Sequence, residues 1–152
     1  MNKLAKQIMN IANKIAIFSY SKLSDAVEVT GNDDYLPGKS KIWYAKHDPQ
    51  RDLMFGYNYV QKHPDDVYPV VRDLFTDVSR HIGITHVLLG TMQRTDLGTI
   101  YEDLQGEKWS PNGEARSLLT RLGLKHTTMS VGDIIQQGNR FYFVDRMGFK
   151  QI

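Results

Sequence analysis

Apolar side chains near the start of the chain recur at the spacing of an amphipathic helix. They step by four, three, four and three residues, which places them on one stripe of a helix predicted over residues 2–19. The residues of this stripe are Leu4, Ile8, Ile11, Ile15 and Phe18. The stripe is typical of a helix that packs on the core of its own domain, and a homodimer seam is the alternative. Residues 21–41 contain glycine, proline and acidic side chains, which favours mostly loop.

Two apolar and aromatic runs follow, over residues 41–46 and 53–60. In the second run, Phe55, Tyr57 and Tyr59 alternate with smaller or polar residues, as in a half-buried strand. An Asp-Pro-Gln-Arg segment between the two runs is a turn signal. The pattern therefore predicts a β-hairpin.

Helical and extended patterns then follow one another. From Pro64 onward, apolar residues at helical spacing predict one helix that continues to Ile82 and ends at Gly83. Residues 85–92 predict a buried strand, and residues 97–104 predict a short helix. Because these elements do not alternate strand with helix in a regular way, a doubly wound parallel sheet is not expected.

A further helix and a β-rich end are predicted for the remainder. Ser110 and Pro111 suit the cap and the first position of a helix that ends at Gly123. Strands are expected over the segments 131–136, 140–144 and 149–152, with a Gly-Asn turn after the first of them. The whole pattern predicts an α+β fold in a single domain, residues 1–152. It would have an antiparallel or mixed sheet, an N-terminal amphipathic helix, about three further helices and a C-terminal β-hairpin.

Composition narrows the class of protein. The chain has 152 residues, 41% of them hydrophobic and 24% charged, which fits one globular domain with its own core. It contains no cysteine, which excludes disulfide scaffolds and thiol enzymes and fits a reducing, cytoplasmic location. No apolar run approaches the roughly 20 residues that span a bilayer, so no membrane partner is expected. The net charge of +2 does not by itself indicate a nucleic-acid binder.

Sequence signatures of cofactor and metal sites are absent. Neither a Walker loop nor a dinucleotide-binding glycine motif occurs, and the five histidines lack the spacing of metal ligands. We therefore expect no cofactor and no metal. His126 begins one His-x-Thr signature of the kind found in pairs in two-histidine phosphoesterases, but the second signature is missing. A hydrolase that uses His126 as general base is one alternative, whereas Ser130 and Asp133 favour turn formation over a catalytic triad.

Two polar segments, residues 109–116 and 126–133, suggest a binding site. The first joins a Trp and an Arg to a predicted helix start, where free backbone N–H groups would suit a phosphate or carboxylate. The second is a hydroxyl-rich loop that enters a strand. The ligand-binding residues predicted from the two segments are Trp109, Asn112, Arg116, His126 and Thr128. Helix capping and turn formation are the alternative roles.

The aromatic residues of the predicted hairpin suggest a different function. Together with nearby lysines and arginines, they could bind single-stranded RNA or DNA through stacking and charge. The residues of this alternative site are Trp43, Tyr44, Phe55, Tyr57 and Tyr59. Alternating aromatics are also what a strand that lines the core contains.

The last third of the chain carries a resemblance. The segments WSPNGEAR (109–116), HTTMSVGD (126–133) and YFVD (142–145), with Gly148 and Phe149, are similar to small uncharacterised proteins of bacteriophages and plasmids. The resemblance implies an accessory protein with a host-takeover or counter-defence role in a bacterial cell, and it implies no catalytic residue. We therefore expect a non-enzymatic protein that binds a host macromolecule or a small phosphorylated ligand.

Overall fold

The computed structural model describes residues 39–152. The helix predicted over residues 2–19, its dimer seam and nearly all of the loop predicted over 21–41 lie outside the described residues.

Five strands form one antiparallel sheet of order β2-β1-β3-β4-β5. The strands are β1 (Ser40–Ala45), β2 (His86–Met92), β3 (Ile134–Gln137), β4 (Arg140–Val144) and β5 (Phe149–Gln151). The helices of the described part are α1 (His47–Leu53), α2 (Tyr57–Lys62), α3 (Pro69–Leu74), α4 (Val78–Thr85), α5 (Leu97–Asp103), α6 (Gly106–Trp109) and α7 (Arg116–Arg121). A 3-10 turn covers Pro64–Asp66. The α+β class is therefore confirmed.

Side chains alternate between the two faces along each strand, so both faces of the sheet can pack against helices. Helices cover both faces. One face carries Ile42, Tyr44 and Ile135, which pack with residues of α5, α6 and α7 in a first core cluster. The other face carries Ala45, Ile134, Phe141 and Phe143, which pack with α1 to α4 in a second core cluster. The two helical layers thus lie on opposite sides of the sheet.

Most of the strands predicted from the sequence are confirmed. The strand expected over 85–92 is β2, and those expected over 140–144 and 149–152 are β4 and β5. The strand expected over 131–136 begins later, at Ile134. Gly138 has a positive φ of 62° in the turn that joins β3 to β4, as the Gly-Asn pair predicts.

The β-hairpin predicted over 41–60 is wrong. Its first run is β1, but β1 pairs with β2 and β3, and the presumed turn lies inside α1. Asp48 and Pro49 suit the first turn of a helix as well as they suit a β-turn. The second run is divided by Gly56 (φ 96°) and continues as α2.

Two helix predictions also need correction. The single helix expected up to Ile82 is split into α3 and α4, because the Asp77 carboxylate caps a new helix by accepting a hydrogen bond from the N–H of Arg80. Gly83 lies within α4 rather than at its end. Pro111 lies in turns before α7, which begins only at Arg116. Instead of about three further helices, the described part has seven short ones.

Candidate functional site

The carboxylate of Asp133 is the centre of a buried polar cluster. Asp133 follows a turn whose backbone bond joins its own N–H to the carbonyl of Ser130, and it has no exposed surface. One carboxylate oxygen accepts from the N–H of Ala45 at 2.8 Å, and the other accepts from the N–H of Ser130 at 2.8 Å. Burial raises the pKa of this carboxyl, while the bonds from His126, Ala45 and Ser130 oppose that rise. The carboxylate thus ties β1 to the segment 126–133.

His126 completes this cluster from within the same segment. Its Nε2 lies 2.9 Å from both carboxylate oxygens of Asp133, and only 13% of its side chain is exposed. The imidazole stacks on the ring of Tyr44, with the centroids 4.6 Å apart. Its Nδ1 is buried and has no hydrogen-bond partner among residues 39–152. His126 therefore belongs to the interior more than to the surface.

A second buried histidine contacts the same loop from β2. His86 Nε2 lies 2.7 Å from the carbonyl of Gly132, and Nδ1 lies 2.7 Å from the hydroxyl of Thr85. Burial, with smaller contributions from His126 and Lys46, lowers the pKa of His86 from 6.5 to about 4, although the Gly132 carbonyl opposes this. His86 is therefore neutral at physiological pH.

We expect acid to destabilise the fold through His86. Because its pKa is lower in the folded state, the stability that neutral His86 contributes is present above pH 6.5. It is lost as the pH falls from about 6.5 towards 4. The full shift corresponds to about 3 kcal/mol. Urea unfolding measured at steps between pH 7 and pH 4 should show this decline in the wild-type chain.

His86→Gln should flatten the decline, since glutamine retains a donor for the Gly132 carbonyl and does not titrate. Asp133 acts in the opposite direction, because its raised pKa makes protonation favourable in the folded state, so the difference between variant and wild type isolates His86. His47→Gln removes an exposed histidine and is the matched control. Parallel pH curves for wild type and His86→Gln would contradict the assignment.

The ligand-binding residues predicted from the two polar segments have mostly structural contacts. Trp109 has no exposed surface, and its Nε1 donates to the carbonyl of Thr127 at 3.0 Å. The Thr128 hydroxyl accepts from the N–H of Gly106 at 3.0 Å. The predicted anion seat depended on free N–H groups, but the N–H of Asn112 donates to Glu114. Arg116 is exposed at the start of α7.

The structure meets one requirement of the hypothesis that the protein is a hydrolase with His126 as general base. A carboxylate, Asp133, is within hydrogen-bond reach of the imidazole. The Ser130 hydroxyl is not placed as a nucleophile for it, since this hydroxyl donates to the carbonyl of Thr128 at 2.8 Å. Both Ser130 and Asp133 shape the turn before β3, as the sequence favoured.

A groove on the α1–α4 side of the sheet collects exposed rings and cations. It is lined at one side by Phe55, Tyr59 and His63, and at the other by Arg146 and Met147. The ring of Phe55 lies 4.7 Å from that of Tyr59, which lies 4.2 Å from the imidazole of His63. Phe55 is 52% exposed and Met147 is 94% exposed. We call this surface the aromatic groove.

The groove is held together by a carboxylate cap. Asp145 accepts a hydrogen bond from the N–H of Tyr57 at the start of α2 and another from the N–H of Arg146. Gly56 permits this approach, since a Cβ there would lie 3.0 Å from the Asp145 carboxylate and its φ is 96°. The cap keeps the 145–147 turn beside α2.

The structure divides the five aromatic residues of the alternative site. Phe55 and Tyr59 line the groove, whereas Tyr57 packs edge-on against Phe75 with Lys150 Nζ 5.2 Å above its ring. Tyr44 is fully buried. Trp43 is half-buried in the sheet, and its Nε1 donates to the side chain of Gln136.

Sequence reasoning missed four residues of the groove, namely Lys62, His63, Arg146 and Met147. One signal was available, because residues 55, 59 and 63 are spaced by four, a spacing typical of one side of a helix. The contribution of Arg146 and Met147 depends on the strand pairing that places the β4–β5 turn beside α2, which no local pattern indicates.

Within residues 39–152, no group of His, Asp and Glu side chains converges as metal ligands would. No helix of this part of the chain is long and apolar enough to cross a membrane. Comparison with known protein families, curated proteins and solved structures finds no match.

Proposed function

We propose that this protein binds single-stranded nucleic acid through the aromatic groove. The observation that carries the proposal is the row of adjoining rings at Phe55, Tyr59 and His63, whose two end members are exposed beside Lys62 and Arg146. Single strands are bound without strong sequence preference by such a combination of stacking surfaces and positive charge.

The rings supply the stacking part of the argument. An exposed phenylalanine leaves apolar surface in contact with water, and a base that stacks on it removes that surface from water. Such stacking has little sequence preference. Tyr59 lies in α2 and Phe55 lies in the turn that precedes its N-cap, Gly56, so the backbone of this turn and helix fixes their spacing.

The cations supply the electrostatic part. Lys62 and Arg146 are exposed, and neither has a carboxylate partner among the described residues. The carboxylate in the lining, Asp145, is engaged by two backbone N–H groups. A ligand with both flat apolar rings and negative charge complements this surface better than an apolar peptide does.

Binding of single-stranded nucleic acid is also the second function that the sequence suggests. The site proposed for it lies on a helix and a turn instead of the predicted hairpin. The small-ligand reading based on Trp109 and Thr128 loses support, because both side chains contact the protein itself. The expectation of a phage or plasmid accessory role stays a prediction.

Binding of a labelled oligothymidylate of about ten nucleotides, followed by fluorescence anisotropy, tests the proposal. Phe55→Ala should weaken binding by roughly 5- to 150-fold, since a stacked base contributes about 1–3 kcal/mol. Lys62→Gln and Arg146→Gln should each lower the slope of log affinity against log salt by about 0.7.

Tyr68→Ala is the matched control, because Tyr68 is an aromatic residue with 50% exposure that does not line the groove. Thermal unfolding of every variant shows whether the fold is retained. Equal binding by Phe55→Ala and Tyr68→Ala, or binding that does not respond to salt, would overturn the proposal.

A further inference from the structure

A polar pocket of about 400 Å³ lies beside α7, on the side of the sheet opposite the aromatic groove. Its polar side chains come from Arg116, Thr120, Lys125 and Thr127, and no carboxylate of the described part of the chain lines it. We call it the cationic pocket. Its position separates it from the proposed nucleic-acid site.

The end of α7 brings these residues together. Arg116 and Thr120 are four residues apart and therefore share one face of the helix. Gly123, with a φ of 73°, then reverses the chain: its N–H bonds the carbonyl of Thr120, and the N–H of Leu124 bonds the carbonyl of Leu119. This pair of bonds is the Schellman motif, and it returns Lys125 to the side of the helix.

The buried aromatic residues fix the far wall. The carbonyl of Thr127 accepts hydrogen bonds from the Tyr44 hydroxyl at 2.8 Å and from Trp109 Nε1 at 3.0 Å. Both donors are fully buried, so the backbone of Thr127 is anchored to the first core cluster. Trp109 thereby positions the pocket without touching what binds in it.

We propose that the cationic pocket binds a phosphate dianion, as inorganic phosphate or as a phosphomonoester. Arg116 and Lys125 have no ion pair within the described part of the chain, and Thr120 and Thr127 line the same pocket. A guanidinium, an ammonium and hydroxyl donors without a carboxylate match a compact group that carries two negative charges. Arg116 keeps the anion-binding role expected from the sequence, but with Lys125 and Thr127 as partners.

Titration of the full chain with inorganic phosphate, followed by amide NMR shifts and calorimetry, tests this. Saturable shifts should centre on Thr120, Lys125 and Thr127. Arg116→Gln and Lys125→Gln should each weaken phosphate by roughly tenfold or more, because each removes a charge-assisted hydrogen bond. Lys125→Arg should retain binding, since it preserves the charge.

Arg121→Gln is the matched control, because Arg121 is an exposed arginine of the same helix that does not line the pocket. Phosphoserine should compete with phosphate, and an oligothymidylate without a terminal phosphate should not. Equal losses for Arg116→Gln and Arg121→Gln, shifts that do not saturate, or equal competition by the oligothymidylate would overturn the proposal. Phe55→Ala should leave phosphate binding unchanged, so this test fails or succeeds independently of the aromatic groove.

Discussion

Asp133→Ala is expected to lower the free energy of unfolding by about 3–5 kcal/mol. The substitution removes the acceptor for the N–H groups of Ala45 and Ser130 and for Nε2 of His126. These donors are held in the interior, where an unsatisfied donor costs about 1–3 kcal/mol. Because the carboxylate also joins β1 to the segment before β3, its loss affects the centre of the sheet. Chemical denaturation measures the change.

Asp65→Ala is the control for this prediction. Asp65 has an exposed side chain (97%) and pairs with Arg72 at 3.9 Å, so its loss should change stability by at most about 0.5 kcal/mol. Asp133→Asn should fall between the two, since its amide oxygen can accept one of the two backbone N–H groups but not both. If Asp133→Ala unfolds at the same urea concentration as Asp65→Ala, the carboxylate does not organise this cluster.

Gly132→Ala should destabilise the protein by about 2–4 kcal/mol. Gly132 has a φ of 103°, which an L side chain rarely adopts, and a Cβ there would lie 2.9 Å from the Cβ of Leu53. Leu53 is fully buried in α1, so it has no room to retreat. Backbone strain and the steric overlap therefore act in the same direction.

Gly83→Ala should have the opposite sign. Gly83 lies inside α4, and a Cβ there would meet nothing within 4 Å. Alanine should stabilise the helix by about 0.5–1 kcal/mol relative to glycine. Thermal unfolding of the two variants side by side measures both shifts, and shifts of the same sign would refute the backbone argument for Gly132.

Local patterns were sufficient where the residues fit only one type of structure. The residues of β2 and β4, and the end of α7 at Gly123, were predicted for this reason. Local patterns failed where two types of secondary structure fit the same residues. Alternating aromatics at Phe55 and Tyr59 fit a strand, yet their spacing of four also fits a helix, and only packing on the sheet decides between them.

The sites were less predictable than the fold. His126 and Asp133 are close in the sequence, but the sequence assigned Asp133 only to a turn, and their contact at 2.9 Å depends on how the loop folds. Arg146 reaches the aromatic groove only because β4 and β5 place their turn beside α2. Trp109 looked like a ligand contact because tryptophan beside polar residues is ambiguous in sequence, and its burial depends on β1, which lies far away along the chain.

The position of β1 in the sheet has a consequence for biosynthesis. Lys41 pairs with Thr91 on one side and with Gln136 on the other, so the two edges of one strand are satisfied by segments made at very different times. Sheets that depend on such distant pairings form slowly, and an unpaired edge invites association with other chains. A nascent chain that has reached β2 still carries an open edge on β1. The open edge of β1 is covered only when β3, residues 134–137, has been synthesised and has paired with it.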